Sequence, residues 1–154
     1  MSDPQDDTGG AADRRAWMGL LARAPRGRPA ELLDALGPRP AADWLRRPET
    51  GSVMVQGRAG GAGAPFNLGE MTVTRCALRL ADGTVGHAYV QGRDKPHAEA
   101  AALIDALMQT GAADRVRAEV LDPLAAEAAR RRDTRARKAA ATKVDFFTMV
   151  RGDD

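Results

Sequence analysis

Val85-Gly86-His87-Ala88-Tyr89-Val90-Gln91-Gly92-Arg93-Asp94-Lys95-Pro96-His97-Ala98-Glu99 changes period partway along, and that change decides the fold. Up to Gln91 the run reads as a strand. From Pro96 onward, Ala100, Ala101, Ile104, Leu107 and Met108 form one apolar stripe, which predicts a helix over Pro96–Thr110 with Gly111 as its stop. Just upstream, Thr72–Leu80 alternates, with Cys76, Leu78 and Leu80 on one side and Arg75 and Arg79 on the other. Ala81-Asp82-Gly83-Thr84 between the two runs is a turn signal, because Asp-Gly accepts the positive φ of a tight reversal. The centre of the chain is therefore an antiparallel hairpin feeding directly into a helix.

Further from that centre, Ser52–Arg58 also alternates, with Val53 and Val55 on one face. The glycine-rich Gly57–Gly63 that follows predicts a loop. On the N-terminal side, Ala16, Trp17, Leu20, Leu21 and Ala24 recur at helical spacing, predicting a helix over Asp13–Ala24 with Asp13 as its N-cap and Pro25 as its stop. A second short helix is expected over Pro29–Leu36, closed by Gly37-Pro38, and a further helical turn over Ala41–Arg46 before Pro48. Beyond Gly111, an Ala- and Arg-rich helix is expected over Pro123–Ala141, and the last residues before Gly152 are β-prone. The expected class is α+β, with N-terminal helices, an antiparallel sheet with a central hairpin, and packed C-terminal helices. Residues 1–12 read as a disordered acidic tail and 13–154 as one domain.

A chain of 154 residues with 44% apolar content can bury one substantial core, although only 4% of it is aromatic. A formal charge of +2 gives no whole-molecule argument for nucleic acid. The single cysteine, Cys76, excludes an internal disulfide framework, and no apolar run is long enough for a membrane span. The acidic start is unlike a signal peptide, so the expected location is cytoplasmic.

The chemistry-bearing candidates are few. Gly92, Arg93, Lys95 and His97 at a helix start form an anion-binding or interface candidate, since free amides and the helix dipole favour an anion there. The same residues also fit an ordinary capped helix, with Asp94 as N-cap, solvated cations and His97 in the core. The loop Gly57-Arg58-Ala59-Gly60-Gly61-Ala62-Gly63 lacks the Gly-Lys-Ser/Thr ending of a phosphate loop and reads as a flexible connection. Two histidines and one thiol offer no structural zinc spacing, so no metal is expected. Cys76 alternates with Leu78 and Leu80 and reads as buried sulfur rather than a nucleophile. Arg130–Lys138 carries six basic residues and one acid, which permits an alternative reading as an RNA-binding module, though aromatic stacking residues are missing. Phe146, Phe147, Met149, Val150 and Arg151 are partner-docking candidates, since a chain end gains little from so many large apolar groups.

The block Gly92–Met108 (GRDKPHAEAAALIDALM) and the tail Val144–Asp153 (VDFFTMVRGD) closely resemble the G subunit of the bacterial carbon–phosphorus lyase system, the PhnG family. The likeness extends over Trp17-Met18, Glu49-Thr50-Gly51, the glycine loop with Phe66, Thr74-Arg75, Leu80–Thr84 and Tyr89-Val90-Gln91, from about residue 14 onward. Pro96 and Cys76 depart from the family's pattern, and the Arg-rich helix matches it loosely. The resemblance implies a noncatalytic subunit of a core complex with the H, I and J subunits. With the H, I and L partners it implies transfer of ribose triphosphate from ATP to an alkylphosphonate such as methylphosphonate, with release of adenine. The product is α-D-ribose 1-methylphosphonate 5-triphosphate, so the enzyme is a transferase in phosphonate catabolism. The resemblance also implies that ATP is a substrate of the complex, and that this chain alone binds no cofactor. The nucleosidase chemistry would lie on the I subunit, and the iron–sulfur and S-adenosylmethionine chemistry on the J subunit.

Overall fold

The computed structural model describes residues 7–150, with side-chain surroundings given for residues 10–142. The elements run α1 (Asp7–Arg23), α2 (Arg28–Ala35), β1 (Ala42–Arg58), β2 (Pro65–Leu80), β3 (Val85–Gln91), α3 (Lys95–Leu107), α4 (Ala113–Val116) and α5 (Asp122–Val150). A π-helical turn, Arg117–Leu121, joins α4 to α5. The sheet is antiparallel in the order β1-β2-β3, so the fold is α+β as the pattern predicts.

The central hairpin forms as read from the sequence. Leu80 N donates to Thr84 O at 2.9 Å and Gly83 N to Leu80 O at 3.0 Å, with Gly83 at φ 91°. Only that glycine takes the left-handed conformation; Asp82 instead accepts from Thr84 N through its side chain at 2.9 Å. Thus one positive φ closes a three-residue connection, where two would be needed for a two-residue reversal.

α3 sits at the middle of the core. Ala98, Ala100 to Ala102, Leu103, Ile104, Asp105 and Ala106 are all buried, so this helix is enclosed on nearly every side. Cys76, Leu78, Ala88 and Val90 meet it from the sheet, Leu21 and Leu33 from α1 and α2, and Val116, Val120, Leu121 and Leu124 from the C-terminal helices. Its alanines permit close approach, and Gly86 carries this furthest. A Cβ there would collide with the Ala102 carbonyl oxygen and stand 2.8 Å from Ala106 Cβ.

Four sequence expectations need correction. α1 begins at Asp7, so residues 7–12 of the expected tail are helical and Asp13 lies inside the helix. Once packing holds Trp17 to Leu21, extending a helix back through Ala11-Ala12 is a propagation step and costs little. Ala41–Arg46 is not a helical turn: Ala42 to Arg46 pair with Leu80 to Ala77 as the start of β1. Pro48 is accommodated because β1 is an edge strand and its register shifts between Arg46 and Glu49, where no ladder donor is required. The predicted second strand likewise starts earlier, at Pro65, and the glycine loop is shortened at its front, where Gly57 and Arg58 belong to β1; residues 59–64 remain as the connection, opening with a short 3-10 turn at Ala59–Gly61. Finally, the β-prone end is helical in backbone through Val150, because strand propensity is realised only where a partner strand is available.

Two parts stand clear of the body. Beyond the Val73–Gln91 pair, β1 and β2 continue as a two-stranded arm exposing Met54, Phe66 and Leu68. In α5, every residue from Ala129 to Thr142 except Arg131 is exposed. Residues 1–6 and Arg151 to Asp154 lie outside the described residues, as do the side chains of Phe146, Phe147, Met149 and Val150.

Candidate functional site

The β3–α3 junction is built around Thr74. This fully buried residue donates its Oγ1 hydrogen to Gly92 O at 2.7 Å and accepts from Asp94 N at 3.0 Å, holding the connection to β2. Gly92 sits at φ 87°, a conformation that favours glycine, and its amide donates to Thr72 O at 2.8 Å. Asp94 is the N-cap: its Oδ1 accepts from His97 N at 3.1 Å, and Arg26 Nε lies 2.9 Å from Oδ2. Glu99 takes no part in the cap and faces Arg39 at 3.8 Å.

The four sequence-designated residues separate into two kinds. Arg93 and Lys95 are exposed and make no hydrogen bond or ion pair to another described residue. With Arg26 and Gly92, Arg93 borders a cleft of about 200 Å³. His97 lies at the inner side of the same cleft, against the core, and is only 5% exposed. Its Nε2 lies 2.8 Å from Leu21 O, and since a carbonyl only accepts, Nε2 carries the proton and α3 is tied to α1. The cap also places the Asp94 carboxylate on the His97 amide, and since Pro96 carries no N–H, the Lys95 amide is the one first-turn donor without a described partner.

Cys76 is buried, and its thiol donates to Ala98 O at 3.2 Å. Burial, with the Glu99 charge adding to it, pushes this thiol up to about 12 from an ordinary 9.0. The nucleophilic thiolate is therefore scarce at neutral pH. Among the described residues, no group of three His, Cys, Asp or Glu side chains could hold a metal ion. Likewise, no described helix is long and apolar enough to cross a membrane.

The most concentrated polar constellation is one that the apolar stripe does not announce. Asp105, 0% exposed, accepts from Arg14 Nε at 3.1 Å and Nη2 at 2.8 Å, from Trp17 Nε1 at 2.8 Å and from the backbone amide of His87 at 2.9 Å. Four donors use up the acceptor capacity of one carboxylate. A signal was present: Ala98, Ala101, Ala102 and Asp105 share helical spacing, which sets a charge on a buried face and calls for a cation. The cation's identity, 91 residues away in sequence, was not legible.

Arg14 Nη2 also donates to Val85 O at 3.3 Å, as does Gln109 Nε2 at 2.9 Å. Alongside runs an apolar groove of about 550 Å³ between α1 and β3, with Met18 and Ala22 on one wall and Tyr89 on the other. The Arg130–Lys138 stretch is exposed along α5, with Arg137 paired to Asp133 at 2.9 Å.

The family model described as "Phosphonate metabolism protein PhnG" matches residues 12–152. A curated relative from Rhizobium meliloti (strain 1021), named alpha-D-ribose 1-methylphosphonate 5-triphosphate synthase subunit PhnG, is 50% identical over 149 residues. That alignment covers 96% of this chain and 95% of the relative. Neither comparison supports the RNA-binding alternative.

Proposed function

We infer, from the premise that this chain belongs to the PhnG family of phosphonate metabolism proteins, that it is a subunit of an α-D-ribose 1-methylphosphonate 5-triphosphate synthase. The observation that carries this reading is the end-to-end likeness to a named synthase subunit, too long to come from one shared motif. The exposed arm is in keeping with it, since a two-stranded ribbon bearing Met54, Phe66 and Leu68 is marginal in water and gains from a protein partner.

In the proposed reaction, an alkylphosphonate oxygen displaces adenine at the ribose carbon of ATP, with the H, I and L subunits taking part and J completing the core complex. This chain's part is noncatalytic, because Cys76 is sealed and His97 is committed to Leu21. Arg93 and Lys95 remain available to phosphate or phosphonate oxygens, or to acids of a partner. The Asp94 cap favours the second of these uses. The apolar sequence Phe146, Phe147, Met149, Val150 with Arg151 is proposed to dock on the complex. A cytoplasmic location follows from the use of ATP.

Reconstitution tests the reading. Purified H, I and L partners, with ATP and methylphosphonate, should release adenine only when this chain is added. Full adenine release without it, or failure of the chain to co-purify with the I subunit on co-expression, overturns the reading.

A further inference from the structure

We propose that the outer edge of β3, from His87 to Gln91, takes up an extended segment of a partner subunit as an added strand, seated in the groove between β3 and α1. This rests on the subunit reading above and adds to it a surface and a mode of attachment.

The parity of the sheet shows which backbone groups are free. Leu80 N donates to Thr84 O and Gly92 N to Thr72 O, so the even-numbered residues of β3 bond to β2. Val85, His87, Tyr89 and Gln91 therefore direct their amides and carbonyls away from the sheet. At the start of the strand this outer edge is capped: Val85 O accepts from Arg14 and Gln109, and His87 N donates to Asp105. Past that point the caps cease. Among the described residues, nothing bonds the His87 carbonyl or the amides and carbonyls of Tyr89 and Gln91.

Those unpaired groups border the groove of about 550 Å³ whose far wall is α1. Met18 and Ala22 make that wall apolar. A strand edge facing a helix across an apolar gap binds an extended chain by ladder bonds on one side and side-chain contacts on the other. Natural sheets cover or blunt such edges, and this one is blunted over only its first residues.

Charge indicates the occupant. Arg15 lines the groove, is exposed and pairs with no described residue, whereas Arg14 is spent on Asp105. A segment with small apolar side chains and an acid placed to meet Arg15 fits. A second copy of this chain pairing through the same edge fits less well, because His87 to Gln91 contains no acid.

Two backbone-directed substitutions in the full chain test this, each co-expressed with the synthase partners. Tyr89→Pro removes only an outward amide, so the ladder to β2 survives. Tyr89→Thr keeps the amide and removes the ring. Tyr89→Pro should keep the circular dichroism of the parent but lose co-purification with the partners by roughly tenfold or more, while Tyr89→Thr assembles. In the parent complex, the Tyr89 and Gln91 amides should exchange with deuterium roughly 100-fold more slowly than in the free chain, with His87 as the internal reference. Normal assembly of Tyr89→Pro, or unchanged exchange at Tyr89 and Gln91 in the complex, overturns the proposal and leaves the subunit reading intact. Protection of those amides in the purified chain alone, with a dimer mass, assigns the edge to a second copy and likewise overturns it. If the parent chain joins no synthase subunit, the subunit reading itself fails and the proposal falls with it.

Discussion

A carboxylate without solvent access, set among Leu103, Ile104 and Ala106, is tolerable only when its charge is matched and its lone pairs are filled. Asp105 meets both conditions through Arg14, Trp17 and the His87 amide, so it joins α1, β3 and α3 at one point. Asp105→Ala should leave Trp17 Nε1 and the His87 amide without partners and Arg14 with only its bond to Val85 O, and cost about 3 kcal/mol, read from urea unfolding. A loss below 1 kcal/mol would show that water replaces the carboxylate freely. Cys76 makes the opposite prediction. Cys76→Ala should support adenine release at the parental rate, with a stability loss of about 1 kcal/mol. Because its folded-state value, about 12, is raised above the unfolded one, the folded state holds this proton more tightly. Its contribution is complete below the ordinary value of 9.0 and is lost as pH rises toward about 12. Thermal unfolding of the parent should accordingly show a steeper alkaline decline than that of Cys76→Ala. Identical slopes would place the thiol in water.

Among the elements, the contact of α3 with β3 is the tightest. Gly86→Ala should force the helix backbone off the strand, since the new Cβ meets the Ala102 carbonyl rather than a movable side chain. We expect a loss of several kcal/mol, on the order of 3 or more, or an insoluble chain. Ala88→Gly on the same strand, which opens space instead, should stay folded. α5 presents a different case. It leaves the body after Ala128, and from Ala129 to Thr142 all but Arg131 is exposed, so that stretch contributes little to the lone fold. Truncation after Thr142 should leave the melting temperature nearly unchanged and abolish co-purification with the synthase partners. Stoichiometric recovery of the truncated chain in the complex would dismiss the C-terminal docking role.

For the molecule as a whole, the decisive distinction is between holding substrate and holding partners. Arg93 and Lys95 are exposed cations beside a helix start where the Asp94 carboxylate already occupies the His97 amide and supplies a negative charge of its own. Arg93→Ala with Lys95→Ala should therefore weaken assembly, measured by co-purification with the I subunit, more than it weakens ATP binding in whatever complex forms. The reverse pattern, full assembly with weakened nucleotide binding, would restore the anion site. Both outcomes leave the single-chain melting temperature within a few degrees of the parent, since surface charges contribute about 1 kcal/mol or less.

The sequence alone determined the parts whose causes lie within a few residues. The reversal at Asp82-Gly83, the cap at Asp94, the stops near Pro25 and Gly37 and the two periods on either side of Gly92 are local, and all appear where they were read. Its likeness to a known family, carried by GRDKPHAEAAALIDALM and VDFFTMVRGD, was equally legible. Tertiary structure decided what depends on distant partners. Ala42 to Arg46 became strand because β2 offered a ladder, and Pro48 survived because that strand lies at an edge. His97 was drawn from a phosphate-site candidate into the core by the carbonyl of Leu21, 76 residues before it, and Asp105 found its cation on α1. Periodicity tells which face a residue occupies, but a polar group's partner is chosen by the packing of elements, and packing is not written in any local window.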